Sequence, residues 1–461
     1  MTRHVPALVV GGGISGLVCA YALRKAGVGA QLVEACPRPG GVISSVARDG
    51  FLLERGPQSF SGALQLRQLC GDLGISDQVL HAPPLAPRYV MIDGELRPVP
   101  LSPPAFFMSS LINGQTKWAL MRDFLGKSIP PEGDESVAAF VRRKFSPQLL
   151  DRLVGPFVSG IYAGDPERLS VRSAFPQLYE AEKAAGSITR GMIRLAKSKK
   201  GPRERPTLQS FREGSETLVR ALGNKLGTAL LTQTSATGIS CQKDGSFDVR
   251  LESHGGDESV STGSLILATP TDVTGRLLSR LDWSFETLLS SIDYAPVAVV
   301  SLGYRKKDVG HSLNGFGFLV PRSARVRVLG SVWNSSLFPG RAPAGNALLT
   351  SFVGGATDPA ATMLEPQELV SLVHREISPL LSITGEPVFS NVTIWPRALP
   401  QYNLGYADRL AAVAKACSRF PGLWLTGNYL RGPAIGSCVD QALAVAEEVR
   451  ERHPNRSLGH P

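Results

Sequence analysis

Val9-Val10-Gly11-Gly12-Gly13-Ile14-Ser15-Gly16, with Glu34 closing the next apolar run, is the stretch that decides the fold. Leu8–Val10 reads as a buried strand, Gly11-x-Gly13-x-x-Gly16 as the turn out of it, and Leu17–Arg24 as the helix that follows. Ala30–Glu34 reads as the second strand. Gly11 permits the tight turn, Gly13 lets the backbone approach a pyrophosphate, and Gly16 lets the helix lie close on the strand. The helix N-terminus offers free N–H groups and the positive end of its dipole to phosphates. Glu34 follows Gly16 by 18 residues, where an acid holds the ribose hydroxyls of an adenosine. Strand, turn, helix, strand and acid in register point to a bound dinucleotide.

The segments that follow separate flavin from nicotinamide. Arg38-Pro39-Gly40-Gly41-Val42-Ile43-Ser44-Ser45 brings a second glycine pair, which lets the chain pass close under a large cofactor. Phe51-Leu52-Leu53-Glu54-Arg55-Gly56-Pro57-Gln58-Ser59 resembles the strand and turn beside the isoalloxazine in flavin amine-oxidase-like enzymes. Near the other end, Leu423-Trp424-Leu425-Thr426-Gly427-Asn428-Tyr429 resembles their last flavin-contacting strand. Gly432-Pro433-Ala434-Ile435-Gly436 then opens a helix expected over Ser437–Arg450. The resemblance implies FAD rather than NAD. Its expected contacts are Gly11, Gly12, Gly13, Ile14, Ser15, Gly16, Glu34, Ala35, Gly40, Gly41, Val42, Gly56, Pro57, Gln58 and Ser59, with Ala236, Gly427, Pro433, Ala434 and Ile435 from later in the chain.

With 461 residues, 43% hydrophobic and 19% charged, the chain is globular and long enough for two or three domains. The formal charge of +10 is scattered, with short clusters at 190–205 and 322–327, and no nucleic-acid recognition motif accompanies it. A mild basic excess suits a small polyanionic substrate or phospholipid headgroups. The six cysteines lack paired spacing and the seven histidines are isolated, so neither disulfides nor a metal site is expected. Met1–Pro6 leads directly into the first strand, and no run of 18 apolar residues exists; a cytoplasmic protein is expected, with peripheral contact at the inner face of the membrane left open.

The fold class is α/β, α+β overall: a Rossmann-like FAD-binding domain, a mixed-sheet substrate domain and a helical membrane-facing insertion. The cofactor unit is expected from residues 1–75, 207–281 and 401–461, the substrate unit from 76–95 and 282–400, and the insertion from 96–206. Helices are expected at Leu111–Leu125, Ser136–Phe145, Pro147–Val154, Ser173–Ala184 and Ser215–Leu226, and a linker at Lys197–Pro206. Phe106, Phe107, Met108, Leu111, Ile112, Trp118, Leu120, Met121, Phe124 and Leu125 crowd one segment. They read equally as a monotopic membrane face, with Lys117 and Arg122 at the headgroups, or as the core of a helical subdomain.

Several blocks outside the cofactor motifs resemble the oxygen-dependent protoporphyrinogen oxidases. They are Ala86-Pro87-Arg88-Tyr89-Val90, Phe157-Val158-Ser159-Gly160-Ile161-Tyr162-Ala163-Gly164-Asp165-Pro166, Gly315-Phe316-Gly317-Phe318-Leu319, Leu329-Gly330-Ser331-Val332-Trp333 and Ser351-Phe352-Val353-Gly354-Gly355. The resemblance runs in order over essentially the whole chain and implies a tetrapyrrole substrate, with O2 as the acceptor and hydrogen peroxide as a product. It implies that Arg88 faces a propionate, that the Gly164 carbonyl approaches the pyrrole N–H groups, and that Leu319, Gly330, Val332 and Phe352 border the macrocycle. No side-chain acid or base is implied, because the flavin carries the chemistry. Coproporphyrinogen III oxidation by the same machinery, a flavin amine oxidase or desaturase, and a non-catalytic FAD- or porphyrin-binding protein are the alternatives. A homodimer is left open.

Overall fold

In the computed structural model, which describes residues 3–100, 102–129, 131–198 and 207–453, two seven-stranded sheets organise the chain. In the first, the opening strand Arg3–Val10 lies parallel between Ala30–Val33 and Gly256–Leu267. Leu230–Leu231 extends the parallel order on one side and Leu423–Leu425 on the other. Phe247–Ser253 and Thr234–Cys241 add an antiparallel hairpin to the early half of Gly256–Leu267.

This sheet is apolar on both faces, as parallel sheets covered on both sides must be. Ala7, Val9, Leu32 and Ile266 face the helices Ile14–Lys25, Glu216–Leu226 and Ile435–Glu451. Leu8, Val10, Val33, Leu265 and Leu267 enter a second core, which also contains Leu277, Phe285 and Val413. That core continues without a break into Val137, Phe140, Val158 and Tyr162, so the helical insertion packs on the back of the dinucleotide sheet.

The second sheet joins Arg88–Ile92 and Glu95–Pro98 to five strands between Tyr294 and Pro400. Only the contact of Arg88–Ile92 with Gly317–Leu319 is parallel. Ala298, Val300, Phe318 and Val353 point to one face, where the helix Pro366–Leu381 covers them with Leu369, Val373 and Ile377. The opposite face carries the site described below.

Between the sheets run short helices. The helix expected at Leu111–Leu125 begins at Gly114, capped by the Asn113 side chain, and Leu111 and Ile112 are buried ahead of it. Pro147–Leu149 passes through a wide π turn, Leu150–Val154, directly into Gly155–Tyr162. The helix expected over Ser173–Ala184 is broken at Phe175 into Val171–Ala174 and Pro176–Ala185. The cause is Pro176, which drives its predecessor out of the helical region. Strand Leu423–Leu425 stops short of Tyr429, which instead lies in the turn of helix Asn428–Arg431. Most of the linker expected at Lys197–Pro206 lies outside the described residues.

A buried ionic cluster ties the insertion together. Lys144 pairs with Asp123 Oδ1 at 2.8 Å and Glu182 Oε1 at 3.1 Å, and donates to Ser128 Oγ at 2.7 Å. Arg143 forks onto both Glu135 and Glu182. Asp123 also accepts from Thr189 N, fastening the helix Ile188–Ser198. Burial alone would raise the Asp123 and Glu182 carboxyls, but hydrogen bonds from Lys144, Thr189, Arg143 and Ser128 outweigh it and hold both below the ordinary carboxylate range. The stability linked to such depressed groups is complete above their unfolded values, near pH 4, and is lost as pH falls through the folded ones. Lys144→Met leaves buried carboxylates short of a cation. It is expected to cost about 3–5 kcal/mol at neutral pH, read as a lower urea midpoint, and to flatten the loss of stability on acidification.

Candidate active site

The glycine turn is built by close approaches. Gly11 has φ +104, and a Cβ there would stand 2.9 Å from the Ala268 backbone. A Cβ on Gly16 would stand 1.9 Å from the Gly11 carbonyl oxygen, so only glycine lets the helix start against the strand. Gly13 differs: its φ is −65, and nothing lies within 4 Å of the position of its Cβ. That empty side of the backbone is what a pyrophosphate requires. Helix Ile14–Lys25 has no side-chain cap and no acid in its first turn, so its N-terminal amides are available to phosphate oxygens.

Glu34 and the second glycine pair close around this turn. Glu34 Oε2 accepts from Gly12 N at 2.6 Å and Oε1 from Cys36 N at 2.8 Å, which fixes the carboxylate at the strand end. Thr234 N donates to the Glu34 carbonyl, bringing Ala236 of the sheet's edge strand alongside, with Ala35 exposed nearby. Gly40 N donates to Gly12 O, and a Cβ on Gly41 would touch Gly13 Cα at 3.5 Å. Arg38, unassigned by sequence reasoning, holds this loop by donating to the carbonyls of Pro39, Ile43 and Gly41. Val42 stays exposed, and its carbonyl leaves no room for a Cβ on Gly56.

The turn after Phe51–Glu54 and the start of the final helix are neighbours. Ser61 and Ala63, just past the turn Gly56–Ser59, lie against Gly436 at the start of the final helix. Ala434 caps that 17-residue helix without a side-chain acceptor, and Pro433 and Ile435 flank it. Gly427 adopts φ +155 ahead of Asn428, and the neighbouring Thr426 Oγ1 is fully buried with no partner. Gln58 is placed differently from expectation. Its Nε2 donates to the carbonyls of Glu54 and Gly56 and its Oε1 accepts from Asn334 Nδ2 at 2.7 Å, so the side chain is spent on fastening the turn.

Of the residues expected at the substrate, Arg88, Leu319, Gly330, Val332 and Phe352 share one face of the second sheet. A continuous row of cross-strand neighbours runs Val90, Leu319, Gly330, Phe352, Val299, Thr393. The next row on that face runs Arg88, Gly317, Val332, Thr350, Ser301, Asn391. Five strand spacings make each row about 24 Å long. Arg88 is exposed, lies 5.6 Å over the Phe316 ring, and has no ion pair among the described residues. Leu319 packs so tightly on helix Gly155–Tyr162 that a Cβ on Gly160 would stand 2.6 Å from its Cδ2. Gly164 lies just past that helix, where its carbonyl accepts from Arg322 Nη2 at 3.4 Å.

The far end of the first row reaches the turn beside the cofactor groove. Arg55 Nε donates to Thr393 Oγ1 at 3.2 Å, and Trp395 Nε1 donates to the Arg55 carbonyl at 2.6 Å. Behind the turn, Glu54 and Arg341 form a buried pair at 3.5 Å, both 2% exposed. Glu54 also accepts from Ser45 Oγ and Ser215 N. Burial pushes the Glu54 carboxyl up, and Arg341 and these donors pull it back.

Comparison with known proteins matches this architecture. The family model "Flavin containing amine oxidoreductase" covers residues 14–450. A chloroplastic protoporphyrinogen oxidase from Oryza sativa subsp. japonica is 37% identical over 96% of this chain and 88% of its own length. The chain therefore belongs to the protoporphyrinogen oxidase family of flavin amine oxidoreductases. Coproporphyrinogen III oxidase from Bacillus subtilis (strain 168) is 29% identical over 97% of both chains. A crystal structure of a candidate protoporphyrinogen oxidase from Exiguobacterium sp. 255-15 superposes with a TM-score of 0.80 at 25% identity, covering 98% of this chain and 99% of the other.

This porphyrinogen oxidase uses FAD, and its residues fit that group. Two helix N-termini without side-chain caps, the open side of Gly13 and the unpartnered Thr426 hydroxyl are polar or vacant positions that a dinucleotide satisfies. Gly13→Ala and Gly16→Ala separate binding from folding. The first has room for its methyl group and is expected to fold with native circular dichroism while losing flavin absorbance at 450 nm. The second forces its Cβ onto the Gly11 carbonyl and is expected to yield no soluble protein.

Proposed function

We propose that the protein oxidises protoporphyrinogen IX to protoporphyrin IX with O2 as acceptor, releasing hydrogen peroxide. The observation that carries this reading is the single sheet face that has Arg88, without an ion pair among the described residues, towards one side and Thr393, bonded to Arg55 of the cofactor turn, on the edge strand at the other. The 37% identity to a chloroplastic protoporphyrinogen oxidase favours this substrate over coproporphyrinogen III.

Each of three rounds removes a hydride from a bridging methylene and a proton from a pyrrole nitrogen, and a tautomerisation moves one hydrogen of the fourth methylene to nitrogen, so that four methine bridges and two N–H groups remain. The chemistry that FAD would supply when bound is hydride acceptance and reoxidation by O2. The chain's own residues bind and orient. Arg88 takes a propionate as a fork–fork pair, a contact that survives in an apolar slot because guanidinium stays charged. Leu319, Val332 and Phe352 offer a flat apolar wall, and Gly330 leaves it without a protrusion. The Gly164 carbonyl accepts from a pyrrole N–H. Trp395, by holding the Arg55 carbonyl, sets the distance between that wall and the cofactor turn. The three pieces 1–75, 207–281 and 401–461 bind FAD, 76–95 and 282–400 bind the substrate, and 96–206 contacts membrane.

The membrane contact rests on a split within the apolar segment. Leu111 and Ile112 are buried and Phe106 and Leu120 pack on the core, whereas Phe107, Met108, Trp118, Met121, Phe124 and Leu125 are exposed beside Arg122. No helix among the described residues is long and apolar enough to cross a membrane, so the contact is peripheral.

Adding protoporphyrinogen IX to the purified flavoprotein is expected to give oxygen uptake, peroxide and rising porphyrin fluorescence; a flavoprotein that shows none of these overturns the reading. Arg88→Ala removes a charge-assisted pair worth about 1.5–3 kcal/mol, so KM should rise roughly 10-fold to 100-fold while flavin content holds. Co-sedimentation with anionic liposomes should weaken in a Trp118→Ser, Leu125→Ser double variant, and equal sedimentation would remove the membrane contact.

A further inference from the structure

Arg322 lies just past the far end of the strand whose first residue neighbours Arg88. Arg88 neighbours Gly317, the first residue of strand Gly317–Leu319. The strand stays extended through Val320, whose N–H donates to Leu329 O, and Pro321, which has φ −71 and ψ 149. Arg322 follows. Five residue steps separate Gly317 from Arg322, roughly 17 Å along the extended backbone.

The Arg322 guanidinium is under-bonded. It carries five N–H donors, yet its contacts are Gly164 O at 3.4 Å and Asp165 Oδ1 at 3.8 Å. Both exceed the 2.7–2.9 Å of a formed charge-assisted bond. Neither nearby acid is waiting for it. Asp165 Oδ1 already accepts from Glu167 N at 2.9 Å, and Glu167 is held by the Arg142 fork. The side chain is 41% exposed, and the next residue, Ser323, is anchored by its Oγ donating to Asp151 Oδ2 at 2.9 Å. Burial lowers the pKa of Arg322, with Asp165 and Glu167 only partly restoring it, so a carboxylate arriving there gains more than it would at a paired arginine.

We propose that Arg322 is a second carboxylate clamp, which lets the slot accept propionates on the macrocycle edge remote from Arg88. The consequence lies in substrate choice and rests on the reading of the site as a porphyrinogen slot. Protoporphyrinogen IX carries its two propionates on adjacent rings, so one edge is anionic and the other bears vinyl groups. Coproporphyrinogen III carries propionates on all four rings. A second cation, past the end of strand Gly317–Leu319, therefore suits the tetracarboxylate as well as the dicarboxylate, and Arg322 is the residue that discriminates between them.

The test is steady-state oxygen uptake on both porphyrinogens with the FAD-loaded protein, supported by fluorescence titration of oxidised coproporphyrin III and protoporphyrin IX. Arg322→Gln should raise the ratio of the coproporphyrinogen KM to the protoporphyrinogen KM about tenfold. Arg322→Lys, which keeps the charge without the fork, should recover part of that ratio. Asp165→Asn removes the competing anion but preserves the acceptor for Glu167 N, and should move the ratio the opposite way. A ratio that stays constant in Arg322→Gln, whether both KM values rise together or neither moves, overturns the clamp while leaving the porphyrinogen reading intact. Absence of turnover and of porphyrin binding in the unaltered protein overturns both.

Discussion

The Gly11 carbonyl oxygen occupies the space where any side chain at position 16 would begin, and the remaining geometry of the cofactor groove is set from that contact. It seats helix Ile14–Lys25 on the end of the opening strand, with Ala268 closing the other side. Strand Gly256–Leu267 delivers Ala268 and also receives Leu423–Leu425, so the start of the final helix is placed relative to the same turn. Two helix N-termini thus approach one groove from segments more than four hundred residues apart. Their dipoles favour anions there, and neither first turn carries an acid that would oppose this.

The segment Phe51–Ser61 reaches both the second seven-stranded sheet and the strand Leu208–Phe211. Phe51 fills the space left by Gly303 in the substrate sheet and stacks on Phe389. Arg55 and Gln58 are hydrogen-bonded to Thr393, Trp395 and Asn334. Phe60 pairs with Gln209, back in the cofactor portion. Alignment of a flat substrate with the cofactor is therefore a property of one stretch of chain, held by short bonds of fixed direction. A loose hinge between two separately folded units would not give that register.

What the sequence revealed follows the range of the interactions. The glycine fingerprint and Glu34 were legible because each is a local pattern with one geometric solution, whereas the role of Arg88 came through family resemblance. The sheet-face residues Leu319, Gly330, Val332 and Phe352 came only through family resemblance, since apolar strand residues look alike until pairing places them in one row. Gln58 was expected at the cofactor, and its partner Asn334, 276 residues away, is what claims the side chain. Lys144, Asp123 and Glu182 gave no signal, because charged residues in short helices ordinarily face solvent. Arg38 could have been noticed: an arginine directly before a glycine pair is well placed to gather the carbonyls that a tight loop exposes.

Charge placement around the slot follows from the chemistry. The hydride acceptor is the flavin, and ionisable groups buried in the slot without a partner would add desolvation cost. Arg88 and Arg322 are both exposed. Glu54 is the exception, a carboxylate buried directly behind Arg55 and Gly56. Left alone it would repel both the pyrophosphate and the substrate carboxylates through a medium of low dielectric. Arg341, supplied by the substrate half, cancels that field and donates to Ser210 Oγ and Phe211 O of the cofactor half. The pair thereby couples docking of the two halves to electrostatic neutrality beneath the active site, which an apolar replacement of either residue alone could not provide.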